Sequence, residues 1–198
     1  MSTAAILAGG RARRFRGRPK LLLPLGDRRI VDRLLAVLRP VVDQVFIVAN
    51  DRATYAGLGV PVHPDVLGGA GPLGGVHAAL RGSRSPRTLV VAGDMPFLST
   101  AFLDRLWRAD RAAEVTIPRT DDGYQPLCAC YRATCASLIE RRVAAGKLRT
   151  IAAVEAMRRH EMGADVIAPF DPDGTLFFNV NTPADHARAL AIAAYHGR

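Results

Sequence analysis

The chain has 198 residues, of which 49% are hydrophobic and 23% charged, with a formal net charge of +9 and a pI near 10.4. A chain of this length forms one domain that buries roughly 70% of its unfolded surface without staples, and no stretch approaches the ~20 apolar residues of a membrane helix. The start, MSTAAILAGG, lacks the basic region of a secretory signal, and the odd cysteine count argues against a disulfide framework, so a reducing cytoplasm is expected; separately, the chain is expected to be a monomer.

The first apolar run, TAAIL (3–7), ends at Gly9-Gly10 and predicts a buried parallel strand followed by a turn. Six cations follow (Arg11, Arg13, Arg14, Arg16, Arg18 and Lys20), and then LLLPL, where the chain re-enters the core. Between Asp27 and Leu38 the apolar residues Ile30, Val31, Leu34, Leu35 and Leu38 recur at helical spacing, and Pro40 ends that helix. QVFIVA (44–49) and VPVH (60–63) predict a second strand and a short third. GGAGPLGG (68–75) predicts a glycine-rich loop leading into a helix at roughly 76–82. RTLVVA (87–92) is another buried strand, stopped by GDMPF, and Ser99 caps a helix carrying Phe102, Leu103 and Leu106.

Beyond residue 110 the pattern is less regular. AEVTIP and YQPLCACYR predict strands, CASLIERRVAAG a helix, and TLFFNVN a final strand. A last helix opens with Thr182 as cap, Pro183 in the first position and Asp185 in the first turn. The alternation implies a three-layer α/β/α sandwich around a mostly parallel, Rossmann-like sheet. The whole chain, 1–198, is expected to be one domain, its first half (about 1–110) binding a nucleotide and its second (about 111–198) an acceptor.

In such a sheet ligands sit beyond the carboxyl ends of the strands. The stretches after the first four strands, AGGRARRFRGRPK, NDR, PDVLGGAGPLGG and GDMPF, should therefore be neighbours. Glycines let backbone N–H groups approach phosphate, cations neutralise it, and an aspartate can hold Mg²⁺ together with phosphate oxygens. Lys20 is the best-placed phosphate contact because the following apolar run fixes it, whereas a solvated basic loop accounts for many of the arginines. Asp94 closes a central strand, which suits a metal ligand or a turn carboxylate. Asn179 and Asn181 flank Val180, to face a ligand or to fix the turn into the last helix. The Walker pattern is absent, and Gly69–Gly74 matches the dinucleotide fingerprint only formally, with Pro72 inside it.

The positive charge calls for an anionic partner, but aromatics are 6% and no zinc-finger, basic-zipper or base-stacking pattern occurs. Small phosphorylated substrates suit the charge better than nucleic acid. Cys128, Cys130 and Cys135 have no histidine at a zinc spacing and read as buried small hydrophobes. No nucleophilic catalytic signature stands out.

LAGGRARRFRGRPKLLLPL resembles the signature loop of nucleotidyltransferases of the GT-A-type fold. GPLGGVHAAL, GDMPFL, QPLCACYR and FFNVNTPADHARAL are similar to the later blocks of one branch, the molybdenum cofactor guanylyltransferases, and the resemblance runs from about residue 4 to 190. It implies GMP transfer from GTP to the terminal phosphate of molybdopterin, with Mg²⁺ as cofactor and pyrophosphate as leaving group. It also implies molybdoenzymes or their chaperones as onward partners.

Carried onto this sequence, the resemblance makes Leu7, Ala8, Gly9, Gly10, Lys20, Asp65, Gly71, Pro72, Leu73 and Asp94 the nucleotide-binding set, with Asp94 also the metal ligand. Asp94, Lys20 and Arg14 become the catalytic residues, and Asn179, Asn181 and Arg149 lie on the acceptor side. One departure is visible: where some members have NAN after the second strand, this chain has Val48-Ala49-Asn50, so base recognition leans on Asp65 and main chain. Cytidylyl transfer, another phosphorylated acceptor, or a non-catalytic GTP- or RNA-binding module are the competing readings.

Overall fold

The computed structural model describes residues 1–9, 15 and 18–196. Its centre is strand β1 (Thr3–Leu7), whose five residues are all buried. An apolar run without alternation buries both faces, and β1 accordingly lies between two parallel neighbours, β4 (Gln44–Val48) and β6 (Arg87–Ala92). The short β5 (Val62–His63) extends the parallel set beyond β4.

On the other side the sheet continues from β6 through β9 (Cys128–Arg132) and β7 (Val115–Thr120) to β10 (Arg159–Met162), with β9 antiparallel to both of its neighbours. The reversal follows from a tight turn. β7 (Val115–Thr120) folds back onto β8 (Gly123–Tyr124) with Gly123 at φ +106°, and a connection this short can only make an antiparallel pair. YQPLCACYR is therefore two strands separated by Gln125–Leu127. The Leu127 carbonyl accepts from the Ala92 N–H at 2.6 Å, which ties this interruption to the end of β6.

Alternate strand residues face alternate layers. Ala4, Ile6, Ile47, Leu89 and Val91 pack with helices α1 (Ile30–Leu38), α3 (Thr100–Arg108) and α7 (Pro183–His196). Ala5, Leu7, Phe46, Val48 and Val90 pack with α2 (Gly71–Gly82), α4 (Cys135–Ala144) and α5 (Thr150–Glu155). This is the expected α/β/α sandwich. Both expected caps form: Ser99 Oγ accepts from the Phe102 N–H at 3.2 Å, and Thr182 Oγ1 accepts from the Asp185 N–H at 3.1 Å.

Four expectations need correction. Helix α1 begins at Ile30 rather than Asp27, because β2 (Pro24–Leu25) and β3 (Arg28–Arg29) form a small hairpin around Gly26, at φ +70°. Helix α2 begins at Gly71, inside the glycine-rich stretch, where Pro72 fits a first turn that needs no N–H partner. TLFFNVN is not a strand. Phe177 and Phe178 turn instead onto Phe102 and Phe97, with ring centroids 5.4 and 6.0 Å apart, and the segment touches the strand-end loops through the Val180 N–H on the Asp94 carbonyl at 2.8 Å. The structure also adds α6 (Ala164–Ile167) and an edge strand, β10 (Arg159–Met162), whose sequence RHEM has no apolar run to announce it.

Among the described residues no helix is long and apolar enough to cross a membrane. The cysteines are free and buried as expected, and burial raises their thiol pKa, to about 12 for Cys130 and Cys135 and further for Cys128. In the native protein a thiol reagent such as DTNB should label none of the three within minutes, and all three after unfolding. Rapid native labelling of any one would contradict this packing.

Candidate active site

The parallel register sets the strand ends level: Leu7 lies opposite Val48 on one side and Ala92 on the other, and Val48 opposite His63. The segments that follow (Ala8-Gly9, Ala49-Asn50-Asp51, Pro64-Asp65 and Gly93-Asp94) therefore open onto one cleft of ≈ 750 Å³. Leu7, Ala8, Gly9, Lys20, Asp65, Gly71, Pro72 and Asp94, all singled out from sequence, line it.

Asp94 is placed by its neighbour. The Gly93 N–H donates to the Leu7 carbonyl at 2.9 Å, and a Cβ on Gly93 would stand 3.0 Å from that oxygen and from Leu21 Cδ1. Only glycine fits comfortably there, and the chain then turns Asp94 into the cleft. Lys20 arrives on a one-turn 3₁₀ helix (Lys20–Leu22) anchored by buried Leu21 and Leu23. Its Nζ donates to Asp94 Oδ2 at 3.0 Å and to Asn181 Oδ1 at 2.8 Å. Lys20 and Asp94 are only 20% and 22% exposed, so water screens this pair less than it would a surface ion pair.

Asn181 is itself held from behind. Asp185 Oδ2 accepts from the backbone N–H groups of Asn181, at 3.0 Å, and Thr182, at 2.8 Å. The hydrogen bond with Thr182 and these two N–H donors hold the Asp185 carboxyl below the usual range.

The far wall is built around Asp65. Its N–H donates to Asn50 Oδ1 at 2.9 Å and its Oδ1 accepts from the Leu67 N–H at 3.0 Å. Helix α2 comes in against it: a Cβ on Gly74 would lie 2.9 Å from Asp65 Oδ2, so the glycine allows the helix start to approach the carboxylate. Gly71, Pro72 and Gly75 bring the positive end of this twelve-residue helix to the cleft, a disposition that favours anions.

Three residues singled out from sequence stand apart from the cleft lining. Leu73 does not line the cleft: α2 has already begun, so its side chain turns inward and is 1% exposed in the core. Asn179 and Asn181 do not act as a pair, because Asn179 Nδ2 donates to the Phe177 carbonyl at 2.8 Å while Asn181 bonds Lys20. Arg149 is exposed at the N-cap of α5 and does not line the cleft. Gly10 and Arg14 lie outside the described residues.

Asn50 and Asp51, expected at the strand-end edge within NDR but given no role, and Thr54, Tyr55 and Leu127, not singled out at all, also line the cleft. Asn50 and Asp51 had a signal, since they directly follow a parallel strand. Leu127 had none, because only the interruption before β9 aims it inward.

Anion-favouring glycines and helix start, a fixed lysine and a carboxylate at the end of a central parallel strand define this as a nucleotidyltransferase cleft. Residues 4–169 match the MobA-like NTP transferase domain, and the chain belongs to that family. The "Probable molybdenum cofactor guanylyltransferase" of Pelotomaculum thermopropionicum is 35% identical over 192 residues, covering 97% of this chain and 93% of its own. The molybdenum cofactor guanylyltransferase of Desulfosudis oleivorans is 32% identical, with 96% and 94% covered. Molybdopterin-guanine dinucleotide biosynthesis protein A from Archaeoglobus fulgidus shares the fold with a TM-score of 0.83 at 29% identity, over 98% of this chain and 99% of that one.

The placement of Leu73 separates packing from binding. Leu73→Ala should lower the unfolding free energy by about 2–5 kcal/mol in urea denaturation, while the folded variant keeps nucleotide affinity within a few-fold. A variant of unchanged stability with lost affinity would return Leu73 to the ligand.

Proposed function

We propose that the protein transfers GMP from GTP to the terminal phosphate of molybdopterin, releasing pyrophosphate and forming the guanine dinucleotide form of the molybdenum cofactor. The observation that carries this reading is the Lys20–Asp94–Asn181 cluster at the mouth of a nucleotide-sized cleft. It joins the nucleotide half (about 1–110) to the acceptor half (about 111–198), as a reaction between two bound phosphates requires. The relatives that share almost the full length of the chain carry the same activity in their names.

This reading divides the labour among the residues as follows. The backbone of Leu7, Ala8, Gly9 and Gly10 and the start of α2 at Gly71-Pro72 cradle the triphosphate, and Asp65 lies beside the nucleoside. Lys20, which holds Asp94 in the free protein, faces the phosphates and offsets the charge that builds up as the acceptor oxygen attacks the α-phosphorus and pyrophosphate departs. Arg14 supplies a second positive charge, and Asn181, Asn179 and Arg149 receive the acceptor. The enzyme contributes in-line positioning and charge neutralisation.

Among the described residues no three His, Cys, Asp or Glu side chains stand close enough to hold a metal ion. A divalent cation, Mg²⁺ in this reading, would be held by Asp94 together with triphosphate oxygens, matching its preference for few carboxylates and many phosphate or water ligands. Bound there it would neutralise the reacting and leaving phosphates. The same reading carries a cytoplasmic monomer that hands its product to molybdoenzymes or their chaperones.

Asp94→Ala should lower turnover by about 10² or more with the fold intact by circular dichroism, on the scale of lost electrostatic stabilisation. Lys20→Ala should fall by a similar factor. Near-normal turnover in Asp94→Ala would remove that carboxylate from the mechanism.

A further inference from the structure

The wall of the cleft away from Asp94 contains a side chain whose orientation is settled by chemistry. The Asp65 backbone N–H donates to the Asn50 amide at 2.9 Å. A backbone N–H can only donate, so the amide atom that receives it is the oxygen, and the two ends of the side chain are not interchangeable. The Asn50 NH₂ group is left with no acceptor among the described residues, on a residue that lines the cleft. Beside it the Asp65 carboxylate has used Oδ1 on the Leu67 N–H, and Oδ2 has no donor among the described residues. Asn50 and Asp65, joined by that bond, thus bring an amide donor and a carboxylate acceptor to the same wall of the cleft.

Two neighbours offer no such pair. Val48, on the same strand end, is aliphatic. Asp51 is occupied by Thr54, whose N–H reaches Oδ1 at 3.2 Å and whose hydroxyl reaches Oδ2 at 2.5 Å. The place also suits a base. β4, which Asn50 follows, lies two strands from β6, which Asp94 follows. Two strand spacings are about 10 Å, leaving room for a ribose between the phosphates and the base.

We infer that Asn50 is the specificity-determining residue for the base: its NH₂ donates to O6 of guanine, while Asp65 accepts from N1–H and the 2-amino group. This rests on the guanylyl-transfer reading and names the residue by which that site chooses its nucleotide. Guanine shows an acceptor beside a donor on this edge. Adenine and cytosine show the reverse, an exocyclic amine beside a bare ring nitrogen. Uracil shares guanine's order but lacks the 2-amino group and the second ring. The donor that a polar residue at position 48 would supply is provided two residues further on.

The test is calorimetric binding of the Mg²⁺ complexes of GTP, ATP, CTP, UTP and dGTP, with no acceptor present, to the wild type, Asn50→Asp and Asn50→Ala. Asn50→Asp keeps an oxygen for the Asp65 N–H, and so the loop, but replaces the donor with an acceptor that repels O6 and accepts from the 6-amino group of adenine. Its added charge weakens all triphosphates alike, so ratios isolate the base. The GTP/ATP affinity ratio should fall about 10- to 100-fold in Asn50→Asp, the scale of one hydrogen bond lost to an unsatisfied buried partner. It should fall by a smaller factor in Asn50→Ala, and the GTP/dGTP ratio should hold in both. An unchanged GTP/ATP ratio, or uniform weakening of all five nucleotides, would overturn the inference while leaving the guanylyl reading in place. A changed GTP/dGTP ratio would move Asn50 to the ribose and overturn it as well. A wild type without GTP preference would remove the guanylyl reading, and this inference with it.

Discussion

The ion pair between Lys20 and Asp94, extended to Asn181, is the interaction on which the rest of the site depends. It joins three distant parts of the chain at one point: the end of the arginine-rich loop, the end of a central strand, and the approach to the last helix. Each partner is fixed by ordinary packing. Buried Leu21 and Leu23 anchor the lysine, the absence of a Cβ at Gly93 lets the aspartate follow β6 closely, and the Asp185 carboxylate holds the backbone that carries Asn181. In the proposed reaction, a cation and a carboxylate held this way in the free protein would leave little to reorganise.

The level ends of the parallel strands do the remaining positioning. Because Leu7, Val48, His63 and Ala92 stand in register, the loops that follow them share one edge although they lie far apart in sequence. Glycines then act at two close approaches: Gly74 admits the start of α2 beside the Asp65 carboxylate, and Gly93 brings β6 under the Leu7 carbonyl.

Much of this was legible in the sequence where local chemistry decides. The apolar runs of β1, β4 and β6 report burial on both faces, and the Ser99 and Thr182 caps report helix starts through side chains that bond their own backbone. LLLPL after Lys20 correctly marked that lysine as fixed. Long-range packing hid the rest. TLFFNVN has the composition of a strand, but its two phenylalanines find aromatic partners and the segment leaves the ladder. RHEM pairs as an edge strand on the strength of a neighbour that no local pattern reveals. Leu73 looks like part of a glycine-rich phosphate loop until the helix is seen to begin at Gly71 and turn it inward. The Asn50–Asp65 bond joins two strand ends whose adjacency only the sheet order supplies.

The central claim, that this cleft performs guanylyl transfer to the molybdenum cofactor, is tested most directly by Mg²⁺-dependent pyrophosphate release with intact cofactor, run in parallel with GTP and CTP. The account predicts release with GTP that requires both the metal and the cofactor, and little with CTP. Equal or greater release with CTP, or none with either nucleotide in folded protein, would contradict it.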